Sequence, residues 1–140
     1  MTIIRTATPT PDVEISLLYV LGQMEPDLRF VTEMPTGDLA KITARIRRIS
    51  GTMGTHIWMD HPVVDIDLWG QTNKSIKMAD VSAAARNIQA DMQSLNSAIT
   101  LNGVIQHVTV ISGPKFVSEV NANLLRNNAS YLVRIHPLQS

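Results

Sequence analysis

The 140-residue chain contains no cysteine. It therefore has no disulfide framework, no thiol nucleophile and no cysteine-ligated zinc. It also lacks an excess of charge, because twelve Lys and Arg residues balance twelve Asp and Glu residues. A balanced chain has no surplus cations with which to hold a phosphate backbone or an anionic membrane. These absences disfavour thiol chemistry, tight sequence-independent nucleic-acid binding and attachment to a membrane surface.

Long apolar runs are absent as well. The apolar stretch at residues 13–21 follows Pro9, Pro11 and Asp12, and it has neither a basic leader nor a small-residue cleavage site. No run approaches the roughly 20 residues that span a bilayer. We therefore expect a protein that folds in solution and has no signal peptide.

What the chain does contain is 44% hydrophobic residues with only 4% aromatics, so its core is expected to consist of Ile, Val, Leu and Ala. Its length suits one domain, residues 1–140, in which residues 1–9 form a flexible arm. A first helix is expected at Pro11, with Thr10 as its N-cap. The apolar stripe from Val81 to Leu95 predicts a second, main helix, whose pattern begins after Gln71.

Alternating or continuous apolar patterns predict strands at residues 28–33, 41–49, 62–69, 104–111 and 131–135. The strand at 104–111 is β-branched on both faces, which is typical of a central strand, and Ser112, Gly113 and Pro114 are expected to end it. Irregular connections are expected at residues 50–61 and 115–128, the latter with a short helical turn. The order α-β-β-β-α-β-β predicts an α+β fold with a mixed or antiparallel sheet and two main helices on one face.

The most conspicuous polar pattern is the pair Asp65 and Asp67, two residues apart on a predicted strand and so on the same face. Such a pair could bind a metal or do acid/base chemistry. However, Arg45 and Arg47 share a face of the preceding strand. If the two strands form a hairpin, the four charges can pair across it. We favour this structural interpretation.

Catalytic and cofactor motifs are otherwise scarce. His56, Asp60 and His61 are the nearest approach to a metal site, but their spacing matches no strong zinc motif. No serine lies in a nucleophile elbow, and no glycine-rich phosphate-binding pattern occurs. The sequence therefore predicts no catalytic residue, no cofactor and no metal.

An interaction surface is the remaining interpretation. Met53, Trp58, Met59 and Phe116 fall in predicted loops, and aromatic and Met residues are enriched in the buried centres of interfaces. The alternative is that these side chains fold back onto the protein's own core. From the residues alone, the chain is an α+β domain that self-associates.

A resemblance extends this interpretation. Residues 62–70 read PVVDIDLWG and are followed by a helix rich in small residues, then by Gly103-Val104-Ile105, Ser112-Gly113-Pro114 and Val133-Arg134-Ile135-His136-Pro137. In this order, and with the early Pro11-Asp12-Val13-Glu14 and Arg45-Ile46-Arg47 segments, the chain resembles the tail terminator family of phages with long, non-contractile tails.

That resemblance implies a structural virion protein rather than an enzyme. The family forms a hexameric ring that caps the head-proximal end of the tail tube, ends polymerisation of the major tail tube protein and meets the head-completion or neck proteins. Genome DNA passes through the lumen without specific binding, and the ring assembles in the host cytoplasm. The alternatives are another head–tail connector ring and, more remotely, a metal-dependent enzyme using Asp65, Asp67 and the loop histidines.

The longest irregular segments, residues 50–61 and 115–128, are expected to supply most contacts between subunits and with the tube or neck. Replacing Trp58 with Ala should then weaken the ring. The candidate interface residues are Arg45, Arg47, Met53, His56, Trp58, Met59, Asp65, Asp67, Lys115, Phe116 and Arg126.

Overall fold

The structure is a computed structural model that describes residues 11–35, 37, 39–53 and 59–138, apart from the side chains of Thr52 and Met53. Two helices and six strands follow one another along this part of the chain. In order they are α1 (Val13–Met24), β1 (Arg29–Val31), β2 (Thr43–Met53), β3 (Asp60–Gln71), a 3₁₀ turn (Thr72–Lys74), α2 (Met78–Gln93), β4 (Ala98–Ile99), β5 (Val104–Val117) and β6 (Leu124–His136).

The strands form one mixed sheet in the order β1-β2-β3-β6-β5-β4. Only β1 and β2 are parallel; the other neighbours are antiparallel. Both helices pack on the same face, α1 mainly on β1 and β2, and α2 on β5, β6 and β3. The α+β fold with two helices on one face of a mixed sheet is thereby confirmed.

The core lies between the helices and the sheet. Alternate residues of β3 and β6 face the helices and are almost fully buried, because side chains of a strand alternate between its two faces. From the helices, Leu17, Leu21, Val81, Ile88 and Met92 pack against them. The strand residues are Val64, Ile66, Leu68, Tyr131, Val133 and Ile135.

The first helix begins later than the sequence predicts. Asp12, rather than Thr10, is the N-cap, and its carboxylate accepts hydrogen bonds from the backbone N–H groups of Glu14 and Ile15. An aspartate is the stronger cap because its charge also suits the positive end of the helix dipole. The second helix also starts later than the sequence predicts, at Met78, because residues 72–74 form a separate 3₁₀ turn.

The predicted connections are shorter than expected, and the strands longer. β2 continues to Met53 and β3 starts at Asp60, so much of the expected loop at 50–61 is strand. The helical turn expected around Glu119 to Leu125 is reduced to one turn, closed by a hydrogen bond from the Leu124 N–H to the Asn121 carbonyl oxygen, because β5 runs to Val117 and β6 begins at Leu124. The many cross-strand partners of β5 and β6 outweigh the weak local preferences of Asn, Ser and Gly.

The prediction that β5 is a central strand ended by residues 112–114 is also wrong. β5 lies beside the short edge strand β4, and Gln106, His107, Thr109 and Ile111 are exposed. The strand accommodates Pro114 through register irregularities between Ser112 and Lys115. A proline is tolerated where the ladder is already interrupted.

Both sheet edges are only partly covered by their edge strands. β1 pairs with residues 43–45 of β2, and β4 pairs with Val104 and Ile105 of β5. Beyond β1, the backbone N–H of Arg48 donates to the Glu14 carboxylate at 2.8 Å. The uncovered part of β5 carries Pro114, a lysine and three register irregularities. Such features protect edges against pairing with another strand.

Neither helix in the described part of the chain has the length and apolar character that a membrane span requires.

Candidate interaction surface

The sheet face opposite the helices carries most of the predicted interface residues; we call it the open face. Register places Arg45 opposite Asp67, Asp67 opposite Asn128, and Asn128 opposite Lys115, so all four project from this face. The adjacent row contains Arg47, Asp65, Ser130 and Ser112. The segment before β2 approaches this face at the C-terminal end of β3, where the Leu39 N–H donates to Gln71 Oε1.

A buried carboxylate lies at the centre of this face. Asp67 has no exposed side-chain surface, and its two oxygens accept four hydrogen bonds from three residues. Arg45 Nη2 donates at 3.1 Å, Arg126 Nε and Nη2 at 3.2 and 2.9 Å, and Asn128 Nδ2 at 2.8 Å. A buried charge is tolerated when it is paired and hydrogen-bonded in this way.

Both guanidinium groups also contact the ring of Trp69. The Arg45 and Arg126 guanidinium carbons lie 5.0 and 5.3 Å from its ring centroid, within the range of cation–π attraction. Trp69 is therefore buried on a face that neither of the two described helices covers. Asp67, Arg45, Trp69, Arg126 and Asn128 form a unit that we call the Asp67 cluster.

The electrostatics of the cluster follow from these contacts. Burial by itself would raise the pKa of Asp67, but hydrogen bonds from Asn128, Arg126 and Arg45 outweigh it and hold the pKa below its ordinary value. Burial would lower the pKa of Arg126, but its pairing with Asp67 and Glu119 raises it. Asp67 and Arg126 therefore stay ionised near neutral pH.

The predicted charge pairing across β2 and β3 is confirmed for one of its two pairs. Arg45 pairs with Asp67, whereas Asp65, opposite Arg47, instead accepts a 2.6 Å hydrogen bond from the Ser130 hydroxyl. Sequence reasoning missed Trp69, Asn128 and Ser130. The first could have been found by extending the two-residue period of Asp65 and Asp67 by one step.

The remaining predicted interface residues are scattered. Met59 is buried immediately before β3, where a partner could not reach it. Phe116 pairs with Asn127 on the helix side of the sheet and is 55% exposed. The side chain of Met53, and the whole of His56 and Trp58, lie outside the described part of the chain.

The metal interpretation finds no support in the strand geometry. Asp60 and His61 are adjacent on β3 and so face opposite sides of the sheet, and His56 lies outside the described residues. Asp60 is buried and forms a two-point ion pair with Arg48. Within the described residues, no group of three His, Cys, Asp or Glu side chains could hold a metal ion.

A second charged region lies on the helix side of the sheet. Glu25, Asp27 and Asp80 line a groove of about 380 Å³ between the end of α1 and the first turns of α2; we call it the acidic groove. Burial, and then the hydrogen bond and charge of the neighbouring Asp91, raise the pKa of Glu25. Like charges that lie close together disfavour the ionised form of each group.

No known family model matches the chain, and no curated protein is significantly similar to it in sequence.

Proposed function

We propose that the protein is a structural ring subunit of a phage tail, a tail terminator that caps the head-proximal end of the tail tube. The observation that carries this proposal is the Asp67 cluster. Its carboxylate is saturated by fixed donors, so it offers no free acid or base to a substrate. Instead it orders two arginines, packed against the buried Trp69, on the sheet face opposite the two described helices.

Such a surface suits recognition of another protein. Arg is among the residues that most often dominate binding energy at interfaces, and arginine side chains that are already ordered lose little entropy on binding. The order of sequence segments that resembles tail terminators supports the same function. On this proposal, one side of the ring contacts the major tail tube protein, and the other contacts a head-completion or neck protein.

The proposal accounts for termination without chemistry. A terminator needs one surface that fits the last ring of the tube and another that cannot accept a further tube ring. Genome DNA would pass through the lumen without specific binding. The protein would be found in the virion, at the head-proximal end of the tail, after assembly in the host cytoplasm.

The test is to mix the purified protein with isolated tail tubes and, separately, with DNA-filled heads, and to image both by negative-stain electron microscopy. A terminator should form six-membered rings and decorate one end of the tubes. Decoration of heads but not of tubes would assign the ring to the head–tail connector instead. A protein that forms no ring and binds neither would refute the proposal.

A further inference from the structure

The described surface offers two ways for copies of the chain to associate, through sheet edges or through a face. The edges are poorly suited, because the Arg48 N–H on β2 is already bonded to Glu14, and β5 carries Pro114 and irregular register. A strand adding at these positions would meet an occupied donor at Arg48 and a missing donor at Pro114. The open face is therefore the better candidate.

Charge is distributed unequally between the two sides of the sheet. Of the described strand positions on the open face, six are basic and two are acidic, and Glu119, from the connection after β5, adds a third carboxylate beside Arg126. The whole chain has twelve residues of each sign, so six basic and nine acidic residues remain, including Arg5 and Asp38 outside the described residues. The basic positions are Arg29, Arg45, Arg47, Lys115, Arg126 and Arg134, and the acidic positions are Asp65 and Asp67.

The charges that remain unmatched on the two sides are complementary. On the open face, Arg29, Arg47 and Arg134 form no ion pair with any described residue. In the acidic groove, the described residues likewise supply no ion-pair partner for the three carboxylates. The neutral chain therefore presents a surplus of cations on one side and a surplus of anions on the other.

We propose that the open face of one copy binds the acidic groove of the next copy, so that subunits join head to tail. The contact uses two different surfaces of the same chain, and repeating it around an axis closes a ring. This inference rests on the proposed ring function and specifies how its subunits meet. On the open face, Arg29, Arg47 and Arg134 supply the unpaired cations, and the acidic groove supplies the carboxylates that they lack.

Two variants reverse these surfaces without breaking any described ion pair. The face-reversed variant carries Arg29→Glu, Arg47→Glu and Arg134→Glu. The groove-reversed variant carries Glu25→Lys, Asp27→Lys and Asn87→Lys, the last at a neutral position that lines the same groove. A control variant, Arg86→Glu with Gln93→Glu, adds negative charge at exposed α2 positions outside both surfaces.

The measurement is the mass of the particles at micromolar concentration, by light scattering after size exclusion, with circular dichroism to check folding. Wild type and the control variant should form the same multimer. Each reversed variant alone should be monomeric, with association weakened at least about tenfold, because like charges then meet. An equimolar mixture of the two should reassemble, since each altered face now meets an oppositely charged groove. Raising the salt concentration should weaken both assemblies.

Several outcomes would overturn the inference. Suppose that wild type is multimeric. If the folded reversed variants are also multimeric, or if their equimolar mixture does not reassemble, the ring forms through other surfaces and only this inference fails. A monomeric wild type would refute both this inference and the proposed ring function. If the groove-reversed variant still assembles, and wild type but not the face-reversed variant binds a short DNA duplex, the partner of the open face is a nucleic acid.

Discussion

Replacing Asp67 with Asn tests whether the Asp67 cluster organises the open face. The substitution removes the negative charge that faces two guanidinium groups. It also replaces one carboxylate oxygen, an acceptor, with an amide NH2 group, which is a donor. Removing one partner of a buried ion pair costs about 3–5 kcal/mol. Because 21% of the Arg45 side chain and 26% of the Arg126 side chain remain exposed and can rehydrate, we expect a smaller loss, about 2–4 kcal/mol.

The assay is urea unfolding followed by circular dichroism. With a slope of about 2 kcal/mol per molar urea, the expected loss lowers the midpoint by about 1–2 M. Asp65→Asn is the matched control, because Asp65 lies two residues away on the same face and accepts its hydrogen bond from a neutral hydroxyl. That control should lose at most about 1 kcal/mol. Equal losses for the two variants would refute the reasoning.

The same pair of variants predicts a pH dependence. Because the pKa of Asp67 is lower in the folded protein than in the unfolded chain, its contribution to stability is complete above about pH 4. The contribution is lost as the pH falls further, through the folded-state pKa. The stability difference between wild type and Asp67→Asn should therefore be constant from about pH 5 to 7 and shrink below pH 4. A difference that grows in acid would contradict the assignment.

Three further substitutions test the fold, each by urea unfolding. Asp12→Ala should cost about 1 kcal/mol through loss of the α1 cap, whereas Asp12→Asn should cost less. Gly70→Ala should cost about 1–3 kcal/mol, because the new Cβ would lie 2.6 Å from Ile76 Cγ2 and 2.9 Å from Val81 Cγ2; an unchanged midpoint would show the packing to be looser. Tyr131→Phe should leave stability unchanged or raise it by up to about 1 kcal/mol, since the buried hydroxyl has no described hydrogen-bond partner. The variant should also lose the tyrosine absorbance change near pH 12, because burial raises the pKa of Tyr131 to about 12.

Periodicity in the sequence predicted the fold class because the helical stripes and most strands are strongly patterned. The alternation around Val64, Ile66 and Leu68 identified β3, and the three- and four-residue spacing after Val81 identified α2. It did not predict that residues 115–128 join two long strands. There the local sequence is rich in Asn and Ser, and strand structure depends on cross-strand partners that are distant in sequence.

The candidate surface could be predicted only in part. Opposite charges on two predicted strands indicated that Arg45 and Asp67 could pair, because strands that are neighbours in sequence commonly form hairpins. Arg126 is 59 residues from Asp67 and reaches it only because β6 inserts between β3 and β5. No local pattern encodes that insertion. The cluster around Trp69 therefore becomes visible only when the strand order is known.

The zero net charge of the chain also has a different meaning in three dimensions. From composition alone, balanced charge argues against an electrostatic partner, because no excess of either sign exists. In the fold, however, the basic surplus lies on the open face and acidic residues line a groove on the helix side. A helix with its side chains is about 10 Å in diameter, comparable with the distance over which physiological salt screens a charge, so the two regions are partly screened from each other. The open face therefore presents positive charge to an approaching molecule, and the acidic groove presents negative charge. A second copy of the same chain carries a groove that matches the face and a face that matches the groove.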